Sequence, residues 1–130
     1  MSKVVITFGT FDVFHVGHLR ILQKARSLGD HLVVGVSTDE LTFKKKKRLP
    51  VYSQEERYEI ISSLKSVDEC FFEERLEDKG SYITRYSAGL LVMGDDWEGR
   101  FDEYSDLCEI VYLKRTKSIS TTAIIEKIRS

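Results

Sequence analysis

The chain has 130 residues, of which 42% are hydrophobic and 32% charged, a composition typical of one globular domain over residues 1–130. Its 20 Lys and Arg residues against 21 Asp and Glu residues leave a formal net charge of −1, which gives no overall positive field for nucleic acid or an anionic membrane. The apolar runs are far shorter than the ~20 residues that cross a bilayer, and the first residues lack a signal-peptide pattern. We therefore expect a cytoplasmic protein that binds no nucleic acid and no membrane.

Segments typical of strands and of helices alternate along the chain. Apolar, β-branched runs predict five strands, at residues 3–8, 31–37, 68–72, 89–93 and 109–113. Apolar residues at helical spacing, with a capping box at Ser53 and Glu56, predict helices at residues 16–28, 53–65, 77–88 and 120–128. Because right-handed crossovers lay each helix back onto a parallel sheet, this alternation predicts a three-layer α/β fold with a five-stranded parallel sheet. Ligands bind such sheets beyond the carboxyl ends of the strands.

The loop after the first predicted strand has the most distinctive sequence in the chain. It reads GTFDVFHVGH from Gly9 to His18, and its two histidines are three positions apart where a helix begins. Both imidazoles can then lie on one face of the first turn, and Gly17 between them leaves room for close backbone approach. Since the free N–H groups of a helix start attract anions, the loop predicts a phosphate-binding site.

Spacing alone leaves two other interpretations of this loop open. The histidines can be half-buried and hydrogen-bonded without any ligand. Asp12, His15 and His18 can also form a metal site of two histidines and one carboxylate.

Further motifs follow the later predicted strands in a recognisable order. A basic run, Lys44–Arg48, follows the second strand, GDDWEG at 94–99 follows the fourth, and RTKSISTT at 115–122 follows the fifth. Together with HxGH after a strand that ends in GTFD, they run nearly end to end. On these motifs the chain resembles the cytidylyltransferases of the HxGH nucleotidyltransferase superfamily, a Rossmann-like fold, and within them the bacterial enzymes that act on glycerol 3-phosphate.

The resemblance implies a reaction of CTP with sn-glycerol 3-phosphate that gives CDP-glycerol and pyrophosphate, with Mg²⁺ as cofactor. The acceptor phosphate is already an anion, so it attacks in line without a general base or a covalent enzyme intermediate, and catalysis is positioning plus charge stabilisation. The resemblance also implies a homodimer, and a product used in teichoic acid or capsule synthesis.

The resemblance assigns the site residues as follows. Catalytic roles fall to His15, His18, Lys45 and Arg115. The nucleotide is expected to contact both histidines, Arg115 and also Gly9, Thr10, Phe11, Lys47, Asp96, Thr116, Ser120 and Thr121. The acceptor is expected to contact Lys45, Lys79 and Arg57, while Asp12 is expected to hold a hydrated Mg²⁺ through water.

Several of these motifs also have ordinary structural explanations. A charge run is often a solvated face, Gly-Asp-Asp makes a good turn, and Ser120 can be a helix N-cap. The chain departs from the glycerol-phosphate pattern at Lys65, Leu76, Lys117 and Ser118. The alternatives are therefore a cytidylyltransferase for another phosphorylated alcohol, such as phosphoethanolamine or a polyol phosphate, an adenylyltransferase, and a non-catalytic nucleotide-binding module.

Overall fold

A computed structural model describes residues 3–115 and 119–130, and within these ranges five strands form one parallel sheet in the order β3-β2-β1-β4-β5. The strands are β1 (Val4–Gly9), β2 (His31–Ser37), β3 (Glu69–Glu73), β4 (Leu90–Gly94) and β5 (Glu109–Leu113). The helices are α1 (Val16–Ser27), α2 (Asp39–Lys46), α3 (Gln54–Ser62), α4 (Lys79–Arg85) and α5 (Thr121–Arg129), with short 3₁₀ turns at Leu76–Asp78, Asp95–Trp97 and Asp102–Asp106. The predicted Rossmann-like α/β fold is confirmed.

Helices cover both faces of the sheet, which makes the fold three layers thick. Alternate residues of β1 point to opposite sides, and the neighbours Val5 and Ile6 are both fully buried. Val5 belongs to the apolar cluster that contains Leu22 of α1 and Ile61 of α3, whereas Ile6 belongs to the cluster that contains Ile83 of α4. This burial on both sides explains why the central strands are continuous apolar runs rather than alternating ones.

A helix that the sequence analysis did not predict follows β2. It is α2, and its start is marked by Thr38, whose Oγ1 accepts the backbone N–H of Leu41. Asp39 and Glu40 then occupy the first turn, where the helix dipole favours negative charge. Most of the basic run therefore lies on the last turn of a helix and not in a loop. This helix places the run at the carboxyl edge of the sheet.

The order in which strands are added to the sheet reverses between β1 and β4. The chain moves outward from β1 to β2 and β3 on one side, and then returns to β4 and β5 on the other. The loops after β1 and β4 consequently diverge and leave a crevice at the carboxyl edge of the sheet, where such folds bind ligands. Within residues 3–115 and 119–130, no helix is long and apolar enough to cross a membrane.

Candidate active site

A cleft of about 890 Å³ opens at this edge of the sheet. It is lined by residues that follow β1, β3 and β4 and by residues of α2 and the start of α5. The cleft brings together most of the predicted site residues, namely Gly9, Thr10, Phe11, Asp12, His15, His18, Lys45, Lys79, Asp96, Arg115, Ser120 and Thr121. Thr116 lies outside the described residues, and so do Lys117 and Ser118.

The two histidines cap α1 with their own side chains. Nδ1 of His15 accepts the backbone N–H of Gly17 at 3.0 Å, and Nδ1 of His18 accepts the backbone N–H of His15 at 3.2 Å. The rings are stacked, with their centroids 3.8 Å apart. A Cβ atom at Gly17 would lie 2.8 Å from Cε1 of His15, so a larger residue there would displace the His15 ring from this arrangement. The HxGH spacing is thus a geometric requirement of the cap.

These hydrogen bonds determine which nitrogen of each imidazole carries the proton. Because both Nδ1 atoms accept backbone N–H groups, each neutral ring carries its hydrogen on Nε2. Burial lowers the pKa of His18 to about 3, helped by the charges of His15, Lys46 and Arg115. Burial, with a smaller contribution from Arg115, also lowers the pKa of His15. At neutral pH both rings are therefore uncharged, and each has a free Nε2–H donor.

The backbone before the histidines is strained. Phe11 and Val13 adopt left-handed conformations, with φ of 57° and 47°, and such a conformation is costly for a β-branched residue such as Val13. The loop is held in this shape by Asp12, whose carbonyl accepts a hydrogen bond from Oγ1 of Thr121 at 2.7 Å. Asp12 thereby joins the loop after β1 to the start of α5.

The carboxylate of Asp12 serves a structural purpose that differs from the predicted metal role. One oxygen accepts the backbone N–H of Val51 at 2.7 Å and the other accepts that of Tyr52 at 2.8 Å. Within residues 3–115 and 119–130, no group of three His, Cys, Asp or Glu side chains could hold a metal ion. Both oxygens of Asp12 thus hold the segment before α3, and its contact with a hydrated Mg²⁺ through water stays a prediction.

The basic run presents a different set of side chains than the sequence predicted. Lys45, Lys46 and Arg48 line the cleft, whereas Lys47 does not. Lys47 caps α2 in the left-handed conformation, with φ of 61°, and is exposed. The structure therefore does not place Lys47 in the cleft, and Lys46 lies there instead. Burial lowers the pKa of Lys46, and it lowers the pKa of Lys45 to about 8.

Arg57 is the predicted acceptor contact that the structure contradicts. Its guanidinium is completely buried under the loop after β1 and is absent from the cleft lining. Nη1 donates to the carbonyls of Thr10 and Ser37, Nε donates to the carbonyl of Tyr52, and Nη2 pairs with Asp39 at 2.7 Å. With four of its five N–H groups committed, Arg57 joins the ends of β1 and β2 to the segment before α3 and does not line the cleft.

Lys79 reaches the cleft floor and is only 3% exposed. Its Nζ makes an ion pair with Glu73 and lies 4.4 Å from the ring centroid of Phe8. The sequence analysis did not select Glu73, or Ser37 beside it, although both end strands at the edge where function was expected. That position was the signal that could have identified them.

The opposite wall of the cleft follows β4 and β5. Asp96 and Arg115 form an ion pair, with 3.5 Å between Oδ2 and Nη1, and both side chains are nearly half exposed. A Cβ atom at Gly94 would lie 2.7 Å from Oδ1 of Asp96, so a larger residue there would displace this carboxylate. Ser120 caps α5 through a hydrogen bond from the N–H of Ala123, and Ser120, Thr121 and Thr122 line the cleft at this helix start.

The fold and the cleft are typical of a nucleotide-binding α/β protein, and the cleft combines neutral imidazoles, amino groups and a guanidinium. The chain belongs to the cytidylyltransferase-like family, which matches residues 6–127. The resemblance expected from the HxGH motif and the motifs that follow it is thereby confirmed.

Two relatives and one solved structure are similar to nearly the whole chain. The chain is 48% identical to glycerol-3-phosphate cytidylyltransferase of Bacillus subtilis (strain 168), over 97% of each chain. It is 42% identical to glycerol-3-phosphate cytidylyltransferase of Staphylococcus aureus (strain NCTC 8325), over 97% of this chain and 95% of that one. A lipopolysaccharide core biosynthesis protein from Thermoplasma volcanium GSS1 superposes with a TM-score of 0.76 at 23% identity, over 92% of this chain and 100% of that one, and shows the shared fold.

Proposed function

We propose that this protein transfers the cytidylyl group of CTP to sn-glycerol 3-phosphate and releases pyrophosphate. The observation that carries the proposal is the convergence of His15, His18, Lys45 and Arg115 on one cleft. The nature of the substrates is supported by the 48% identity to glycerol-3-phosphate cytidylyltransferase of Bacillus subtilis over 97% of each chain.

The reaction is a direct displacement at the α-phosphorus of CTP. A phosphate oxygen of the acceptor forms the new P–O bond while the bond to the β-phosphate breaks and pyrophosphate leaves. No proton has to be removed from the nucleophile, so the protein contributes orientation and charge stabilisation. This chemistry matches a site whose histidines are neutral and whose Nδ1 atoms accept backbone N–H groups, an arrangement that does not make either ring a base.

Each group in the cleft has a distinct task in this mechanism. The Nε2–H donors of His15 and His18 bind phosphate oxygens as negative charge develops on them. Arg115 and Lys46 face the departing phosphates, and Lys45 and Lys79 hold the acceptor phosphate. The cations offset the repulsion between two polyanions that must approach each other.

We infer that Mg²⁺ binds as a complex with the triphosphate and not at a preformed site on the protein. This assignment agrees with the engaged oxygens of Asp12, and Mg²⁺ commonly binds substrate phosphates with few protein ligands. When bound, the ion supplies neutralisation of phosphate charge.

The cellular setting stays a prediction. We infer that the enzyme works in the cytoplasm as a homodimer, and that its product is an activated polyol phosphate donor for teichoic acid or capsule. The resemblance supports the dimer, and light scattering at working concentration that shows a monomer would refute it.

A panel of acceptors tests the proposed reaction. The protein is mixed with Mg²⁺ and either CTP or ATP, and pyrophosphate is measured with sn-glycerol 3-phosphate, ribitol 5-phosphate or phosphoethanolamine. We expect rapid release only with CTP and sn-glycerol 3-phosphate. Faster release with another acceptor would reassign the substrate, release without acceptor would indicate hydrolysis, and no release with any acceptor would identify a binding module.

A further inference from the structure

Glu73 is a buried carboxylate at the floor of the cleft that the mechanism above does not use. It is the last residue of β3 and is completely buried. One oxygen, Oε2, pairs with Nζ of Lys79. The other, Oε1, accepts a hydrogen bond from Oγ of Ser37 at 3.3 Å.

Ser37 extends this contact to a second lysine. It is the last residue of β2 and lies directly opposite Glu73 in the strand register. Its Oγ accepts a hydrogen bond from Nζ of Lys45 at 3.0 Å. Lys45 and Lys79 approach from α2 and α4, so one carboxylate joins two cations that come from separate parts of the chain.

We propose that Glu73 is a positioning residue that holds the amino groups of Lys79, directly, and Lys45, through Ser37, where they bind the acceptor phosphate. The inference rests on the proposed function and on the acceptor-binding role given to these two lysines. Each ammonium has three N–H donors, so a donor given to Glu73 or Ser37 leaves others for the phosphate. The trio of one carboxylate and two ammonium groups keeps a net positive charge toward an anionic acceptor.

Burial makes this carboxylate necessary. An isolated buried lysine tends to lose its proton, because the charged form is poorly solvated. Four charged groups face Lys45, and of these Glu73 favours its protonated form whereas Lys46, Arg57 and Lys79 oppose it. Burial lowers the pKa of Lys79 as well, and Glu73 again acts in the opposite direction. The phenol of Tyr104 also faces Glu73 and takes a raised pKa, chiefly from burial, so it remains neutral.

The test compares Glu73→Gln with a control on the same strand, Glu69→Gln. Glu69 is the first residue of β3, lies at the far edge of the sheet and pairs with His31 on the surface. We expect Glu73→Gln to raise the KM for sn-glycerol 3-phosphate by roughly 10-fold or more while the KM for CTP changes by less than about twofold, since misplaced binding groups lose orientation. The control should leave both constants unchanged.

A pH profile separates positioning from a merely structural role. In the wild-type protein, kcat/KM for the acceptor should decline above about pH 8, where Lys45 loses its proton. Without the Glu73 charge, the pKa of Lys45 falls further and this decline should begin at lower pH. Glu73→Asp keeps the charge and should keep the wild-type pH limit, even where its shorter side chain reduces the rate.

The results that would overturn the inference differ from those that would overturn the proposed function. The inference would be overturned if Glu73→Gln changed both KM values equally, or if its kcat/KM declined at the same alkaline pH as that of the wild-type protein. Turnover by the wild-type protein would still support the proposed function. If Glu73→Gln does not fold, Ser37→Ala decides, because it cuts only the connection to Lys45. A rise in the acceptor KM alone then supports the inference, and unchanged constants overturn it. Failure of the wild-type protein with every acceptor would refute the proposed function itself.

Discussion

Replacement of His18 by asparagine separates its capping role from its chemical role. The Oδ1 atom of asparagine can take the place of Nδ1 and accept the N–H of His15, but no donor remains where Nε2 stood. Removal of one preorganised donor to a developing oxyanion costs roughly 100- to 1,000-fold in kcat. We therefore expect His18→Asn to lower kcat by at least ~100-fold.

Stability measurements distinguish a loss of catalysis in these variants from a loss of folding. His18→Asn keeps the cap and loses mainly ring stacking with His15, whereas His18→Ala also loses the cap, which costs about 1 kcal/mol more in the free energy of unfolding. Urea unfolding gives the stabilities, and pyrophosphate release at saturating CTP and acceptor gives kcat. A near-wild-type kcat in His18→Asn would refute the assignment of Nε2–H as a donor in the transition state.

Three further predictions test charges around the cleft. The folded protein holds the pKa of His18 at about 3 while the unfolded chain binds a proton near 6.5, so stability should fall as the pH drops below 6.5, by up to about 2 kcal/mol at pH 5. His18→Asn should remove this part of the loss, and an equal loss in the variant would contradict it. Lys46→Ala should raise the KM for CTP by about 10-fold and Lys47→Ala by less than about twofold, and similar effects would reject the correction made at α2. Arg57→Ala should cost about 3–5 kcal/mol in urea unfolding because it leaves buried partners unpaired, and a stable variant with a raised acceptor KM would restore it as a binding residue.

Much of the architecture could be predicted because it depends on local patterns. The predicted strand at residues 31–37 coincides with β2, and the capping box at Ser53 marks the start of α3, where both of its hydrogen bonds form. The helix predicted at residues 77–88 is shorter, since α4 spans Lys79–Arg85. Its ends depend on packing that local sequence does not encode.

The errors in the site have a common physical origin. Whether a lysine faces the cleft depends on the helical phase of α2, and the helix itself went unpredicted because its apolar periodicity is weak beside the run of charges. Arg57 has the right chemistry for phosphate, but three backbone carbonyls take up its donors, and two of them, at Thr10 and Ser37, are 47 and 20 positions away. Such long-range hydrogen bonds depend on tertiary structure and cannot be read from spacing along the chain.

The hydrogen bond from Thr121 to the carbonyl of Asp12 joins residues 109 positions apart. During synthesis a ribosome delivers the histidine loop early and α5 only after every strand of the sheet. The strained turn at Val13 therefore gains this support only from α5, a helix that follows all five strands in the chain. A chain truncated before α5 would keep every strand of the sheet but would lose this support and the part of the cleft wall that Ser120 and Thr121 form.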